Sequence, residues 1–223
     1  MGSKGLAVAE AVAQRSQSEL AYERILERIV SLEMPPGSVV NEARLREELG
    51  IGRTPIREAL QRLARENLVR SIPHRGTFVT EVNITDLARI TEVRVVLEAH
   101  AARLAAEKLS SADRETIDGL LGLLRGEVTE QRALMRLDQV IHRTIYRAAR
   151  NPFLEATLER YFNLSLRLWY LVLDREVRLR EAVDEHVELL RAILAGDGDL
   201  AETIMRRHVI GFEREIRKVL VER

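Results

Sequence analysis

The chain has 223 residues, 46% hydrophobic and 31% charged, enough for one large or two modest domains, and its composition excludes the disordered, collagenous and membrane classes. It has no Cys, which excludes disulfides, thiolate metal sites and cysteine nucleophiles, and no apolar run approaches the ~20 residues of a membrane span. Net charge is zero, with 35 basic and 35 acidic residues, so bulk charge selects no partner. Residues 1–17 are expected to form a flexible tail. Their short Ala/Val stretch is broken by Glu10 and followed by polar Gln14 to Ser18, which argues against a secretory signal and for a cytoplasmic protein.

Tyr22, Ile25, Ile29 and Leu32 recur at helical spacing and predict a helix over about 19–32, capped by Ser18 and stopped by Pro35, Pro36 and Gly37. A second helix is predicted from the cap Asn41 to Leu49, with Gly50 in the left-handed position that ends it. Thr54 is expected to cap a third, opened by Pro55 and running to about Glu66, with Ile56, Ala59, Leu60 and Leu63 on its buried side. The second and third, joined through Gly50, Ile51 and Gly52, make a helix-turn-helix. Two short strands, Leu68 to Ser71 and Thr77 to Thr80, flank a turn at Pro73 to Gly76 and add a wing. Six Arg against two Glu between Arg53 and Arg75 give this region the basic patch that a DNA-contacting element needs.

Residues 18–80 resemble the winged helix-turn-helix of GntR-type bacterial transcription regulators. The resemblance rests on Pro36-Gly37, Leu49-Gly50, the run Arg53-Thr54-Pro55-Ile56-Arg57-Glu58-Ala59-Leu60, and the wing Arg75-Gly76-Thr77-Phe78-Val79. Gly52 stands where the family usually has Ser, and Asn67 where it usually has Gly, a turn position at which Asn tolerates positive φ. Arg53 and Arg57 lie one turn apart at the start of the third helix, placed to enter a major groove. Thr54 and the helix amides would meet phosphate there. An arginine fork matches guanine O6 and N7 and supplies ~1–3 kcal/mol of discrimination. Arg62 and Arg65 lie further along, where phosphate contact and plain solvation are equally open. In the wing, His74 and Arg75 flank Gly76, which allows close backbone approach to DNA.

Residues 81–85 read as a linker and residues 86–223 as an antiparallel helical bundle, so the fold class is mainly α. Helices are predicted at about 86–108, 112–124, 130–150, 152–174, 181–195 and 200–221, with Ser111, Asn151 and Asp199 as caps or breaks and Asp199 paired with Glu202 in capping-box spacing. Asp138 and His142, four apart, interrupt the apolar stripe of Met135, Ile141 and Ile145. His186 sits on the stripe of Val183, Leu190 and Ile193, and His208 on that of Ile204, Phe212 and Ile216. Asp197, at the break between these two helices, is equidistant from both histidines, so a hairpin brings the imidazoles to one height. Each alone reads as a hydrogen-bonded core polar group; together, three His and an Asp on inward stripes predict a site for a divalent first-row ion, Zn²⁺ first, with Ni²⁺ and Mn²⁺ as alternatives.

The bundle resembles the FCD ligand-binding domain of the FadR branch of GntR regulators. The matches are the Asp-x-x-x-His pair with two later His, Arg94-x-x-x-Glu98, Asn151-Pro152 and Gly198-Asp199. The resemblance implies a homodimer that binds a small organic acid, often through the metal. Arg94 is the candidate for the effector carboxylate, with pairing to Glu98 on its own helix as the alternative; Asn163 and Arg167 are further candidates. His100 is expected at a surface or bundle interface. The resulting expectation is a ligand-responsive regulator, a repressor in reading, on a palindromic double-stranded operator. A helical metal-dependent hydrolase is the alternative from another class, disfavoured because no His has Glu three residues before it and the helix-turn-helix would go unexplained.

Overall fold

The computed structural model describes residues 16–126, 130–173 and 179–221. The chain divides between Val82 and Asn83 into two compact units. Most of the expected tail lies outside the described residues, as do residue 174 and the chain beyond Val221.

The first unit holds α1 (Gln17–Val30), α2 (Glu42–Leu49), α3 (Arg53–Arg65), β1 (Val69–Ile72) and β2 (Gly76–Val79). Helices α1 and α3 pack together and bury Ala21, Tyr22, Ile25 and Ile29 with Ile56, Ala59, Leu60 and Leu63. The predicted helical stripes are therefore the core, except at Leu32, which lies past the end of α1 at φ 61° and is half-buried. Caps shift slightly from expectation. Ser16, not Ser18, accepts from Glu19 N–H at 3.1 Å. Asn41 caps α2 through Arg44 N–H at 3.0 Å, and Gly50 ends it at φ 65°.

Helix α3 starts two residues earlier than predicted, at Arg53 and not Pro55. Gly52 holds the cap position without a side-chain hydrogen bond, and Thr54 is already inside the first turn. The antiparallel wing pairs Val69 with Val79 and Ile72 with Gly76, while Asn67 and His74 both take positive φ. A feature not visible in the sequence is a third edge: Val40 N–H donates to Thr77 C=O at 2.8 Å and Val79 N–H to Ser38 C=O at 2.9 Å. Gly37 makes that return possible at φ 76°, where a Cβ would run into the Glu81 carboxylate.

The second unit holds α4 (Thr85–Glu107), α5 (Ser111–Leu124), α6 (Gln131–Ala148), α7 (Pro152–Val172), α8 (Leu179–Ala195) and α9 (Gly198–Val221). Helix α4 is its axis, in contact with α6, α7, α8 and α9, most extensively with α9. Ala99, Ala101, Ala102, Ala105 and Ala106 are all buried, so small side chains let the neighbouring helices approach α4 closely. A capping box joins Ser110 and Asp113 at the start of α5, and Asn151 caps α7 ahead of Pro152. The expected box of Asp199 and Glu202 does not form. Asp197 caps α9 through Leu200 N–H at 3.0 Å, while Asp199 and Glu202 both accept from Arg103.

The missing cap on α3 gives a direct check. At Gly52, with φ −65°, an added Cβ would meet only Pro55 at 3.7 Å, an ordinary contact. Gly52→Ser is expected to stabilise the protein by about 0.5 kcal/mol or less in urea unfolding, the gain of a serine cap over glycine; a loss of stability would show that the position is not a free cap.

Candidate functional site

In the first unit, α3 turns Arg53, Thr54, Arg57 and Arg65 to solvent on the face opposite its buried stripe. His74, Arg75 and Gly76 are exposed at the wing turn. Arg57 Nε lies 3.1 Å from Glu42 on α2, an exposed pair that costs little to open. Arg62 is placed differently from its neighbours. Its guanidinium stacks 3.6 Å above the Tyr22 ring and bonds Glu19 at 2.9 Å and Glu66 at 3.3 Å, while the Tyr22 hydroxyl donates to Glu66 at 2.7 Å. Arg62 thus ties α3 to α1, with its side chain still 42% exposed.

In the second unit, Asp138 and His142 on α6, His186 on α8 and His208 on α9 are all buried, with one ligand atom from each within 4.8 Å of the others. Nε2 of His142 lies 3.3 Å from Nε2 of His208 and 3.2 Å from Nε2 of His186. Asp138 Oδ1 stands 3.7 Å from Nε2 of both His142 and His186. Ligand atoms at ~2.1 Å from a zinc-like ion stand ~3.0–3.4 Å apart, so the imidazole spacing fits such an ion.

The outer ring nitrogens explain why the inner ones converge. Nδ1 of His142 lies 2.8 Å from Glu98 Oε2, that of His186 3.2 Å from the Val183 carbonyl, and that of His208 3.0 Å from Glu185 Oε2. The Nδ1 atoms of His186 and His208 thus have hydrogen-bond acceptors and that of His142 has a carboxylate oxygen in contact, which favours Nε2 as the lone-pair nitrogen on each ring. Burial, and then the neighbouring His208 and His142, push the His186 imidazole well below its ordinary value and keep it neutral. His142 also stacks on Phe162 at 4.8 Å, and the Tyr146 hydroxyl lies 3.3 Å from its Nδ1.

Arg94 lies beside this cluster. It is 1% exposed, and its Nε donates to Glu98 Oε1 at 2.5 Å. The guanidinium faces Phe212 at 4.9 Å and Phe162 at 5.3 Å, and Trp169 packs edge-on against Phe212 at 4.7 Å. Burial works against the charge on Glu98, but Arg94 and then His142 outweigh it and hold the carboxyl at about 2. Arg94 Nη1 is buried without a hydrogen-bond partner among the described residues, as is Thr91 Oγ1 one turn earlier. Of the two alternatives for Arg94, the pairing with Glu98 is present, and Nη1 is left unpaired among the described residues.

Asn163 and Arg167 are buried one turn apart on α7. The Asn163 carbonyl oxygen accepts from Arg143 at 3.1 Å, and His100 is exposed. Sequence reasoning paired Glu98 with Arg94 but missed its contact with His142, and it missed Glu185, Tyr146 and Thr91. The Glu185 contact crosses the α8–α9 hairpin, and its only sequence trace is the equal spacing of the two histidines about Asp197.

The same chain matches two family models: "Bacterial regulatory proteins, gntR family" over residues 17–79 and "FCD domain" over residues 89–211. It belongs to the GntR family. Among GntR relatives it is 30% identical over 193 residues, 84% of this chain and 83% of the relative, to the "Probable D-xylose utilization operon transcriptional repressor" of Paenarthrobacter nicotinovorans. It is 24% identical, over 89% of both chains, to the HTH-type transcriptional repressor RspR of Escherichia coli K12. E. coli McbR/YncC shares the fold at TM-score 0.78 and 23% identity, covering 92% of this chain and 99% of that one. The GntR family consists of DNA-binding transcription regulators and not enzymes, which retires the hydrolase alternative. Among the described residues no helix is long and apolar enough to cross a membrane.

The contrast within α3 predicts separable effects. Arg62→Ala should lower stability by about 1 kcal/mol, the scale of one cation–π contact with partly exposed ion pairs, and leave the salt dependence of DNA binding unchanged. Arg65→Ala should do the reverse, flattening the plot of log affinity against log salt at constant stability. A flattened plot for Arg62→Ala would return that residue to the DNA face.

Proposed function

We propose that this GntR regulator is an effector-responsive repressor of the FadR branch. In this reading the second unit holds one divalent ion on Asp138, His142, His186 and His208, and a small organic acid engages the same site through Arg94. The observation that carries it is the set of three buried imidazoles whose outer nitrogens face acceptors and whose inner nitrogens converge beside Asp138. Zn²⁺ suits three imidazoles and one carboxylate, and Ni²⁺ or Mn²⁺ could use the same donors. When bound, the ion supplies a Lewis-acidic docking point for a carboxylate.

Arg94, buried between Phe162 and Phe212 with an unmatched donor, is suited to hold an acid group where water does not compete. Asn163 and Arg167 remain candidates for the far side of the ligand. On the DNA side, Arg53 and Arg57 read bases from the start of α3, Thr54 and the uncapped helix amides meet phosphate, Arg65 adds a phosphate contact, and the wing approaches through His74, Arg75 and Gly76. A homodimer follows from the same reasoning, since a single helix-turn-helix covers too few base pairs to select a site and a two-fold protein matches a palindromic operator. Repression is supported by the repressors among its relatives.

The test is metal content together with operator binding. Purified full-length protein is expected to carry about one divalent ion per chain and to lose operator affinity when titrated with an effective small di- or tricarboxylate. His186→Ala should lose the ion, melt at lower temperature through lost linkage, and no longer respond to the acid. Wild-type protein that neither contains nor rebinds a metal would contradict the site; metal without a response to any such acid would contradict the effector reading.

A further inference from the structure

We infer that Glu98 couples the ion to the acid anchor, acting as a positioning residue for both; the inference rests on the metal reading above. Glu98 is fully buried on α4, with Arg94 against one carboxylate oxygen, His142 against the other, and the Tyr146 hydroxyl close by. Oε1 accepts from Arg94 Nε at 2.5 Å, and Oε2 lies 2.8 Å from Nδ1 of His142. Arg94 and His142 are each only 1% exposed, so water cannot stand in for either contact.

An acceptor on the outer nitrogen of a metal-binding imidazole fixes the ring and makes its inner nitrogen a stronger donor. The strength of that effect depends on how far the carboxylate is already engaged elsewhere, and here Arg94 is the other claimant. An acid group drawn to Arg94 competes with Glu98 for the guanidinium and returns negative charge to His142, which tightens the ion. Linkage makes the effect reciprocal, so a bound ion favours the acid by the same factor. The spare Nη1 of Arg94 is the donor through which the acid can enter without first breaking the Glu98 contact. The other two histidines lack such a connection: His186 leans on a backbone carbonyl, and His208 on Glu185, whose side chain is 41% exposed.

The experiment is a double-mutant cycle on the full chain, read as zinc affinity in competition with a chromogenic chelator. Glu98→Gln should weaken zinc binding about 10- to 100-fold, the usual range for an outer-shell partner. Arg94→Gln should tighten it several-fold by releasing Glu98 to His142, and that gain should disappear when Glu98 is already Gln. If Arg94 acts only as a nearby positive charge, its removal tightens zinc equally in both backgrounds, and such additivity overturns the coupling. Unchanged zinc affinity in Glu98→Gln also overturns it. Should Arg94→Gln fail to fold, Arg94→Lys, which keeps the charge but not the planar fork, takes its place under the same criterion. Absence of zinc binding by the wild type overturns the metal reading and the coupling together. Zinc binding with additive effects leaves the metal reading intact and removes the coupling alone.

Discussion

The Nε2 of His142, held 3.2 Å from that of His186 and 3.3 Å from that of His208 inside a helical bundle, sets the terms for the rest of the second unit. With every outer nitrogen facing an acceptor, the inner nitrogens converge in a buried region, an arrangement that suits a cation held between them. The surrounding structure holds the rings there. Helix α6 sets Asp138 and His142 one turn apart, the α8–α9 hairpin brings His186 and His208 to one level, and the alanine-lined axis α4 comes close enough for Glu98 to reach His142. A buried charge cluster of this kind contributes little net stability. Its value lies in specifying where charge must be.

The same economy appears in the first unit, where arginines on a single helix divide by face. Arg62 spends its charge internally, on Glu19, Glu66 and the Tyr22 ring, and thereby fixes α1 against α3. Arg53, Arg57 and Arg65 face solvent. The uncapped start of α3 keeps amides and positive dipole at the end where a phosphate would dock.

Element type and inward faces were legible in the sequence because they follow from periodicity. The stripes of α1, α3, α6, α8 and α9 are buried where the spacing of their apolar residues put them, and the histidines that broke those stripes point inward with them. Boundaries were less legible. Ser16 against Ser18, Gly52 against Thr54, and Asp197 against Asp199 are competitions between adjacent capping residues, decided by turn geometry and, for Asp199, by the reach of Arg103 across the bundle. Long-range polar contacts were least legible. Glu98 reaching His142, Glu185 meeting His208, and residues 38–40 pairing with β2 all depend on packing between segments, which leaves no local pattern. For Glu98 the intrahelical spacing to Arg94 gave half of the answer, because a residue four positions along a helix is a neighbour whatever the fold.

The central claim is that these three histidines and Asp138 ligate one ion. X-ray absorption at the zinc edge on zinc-loaded full-length protein tests it most directly. The account predicts a first shell of nitrogen and oxygen donors only, with multiple scattering from three imidazoles that falls to two in His208→Ala. A spectrum with at most one imidazole, or one unchanged in His208→Ala, would contradict it.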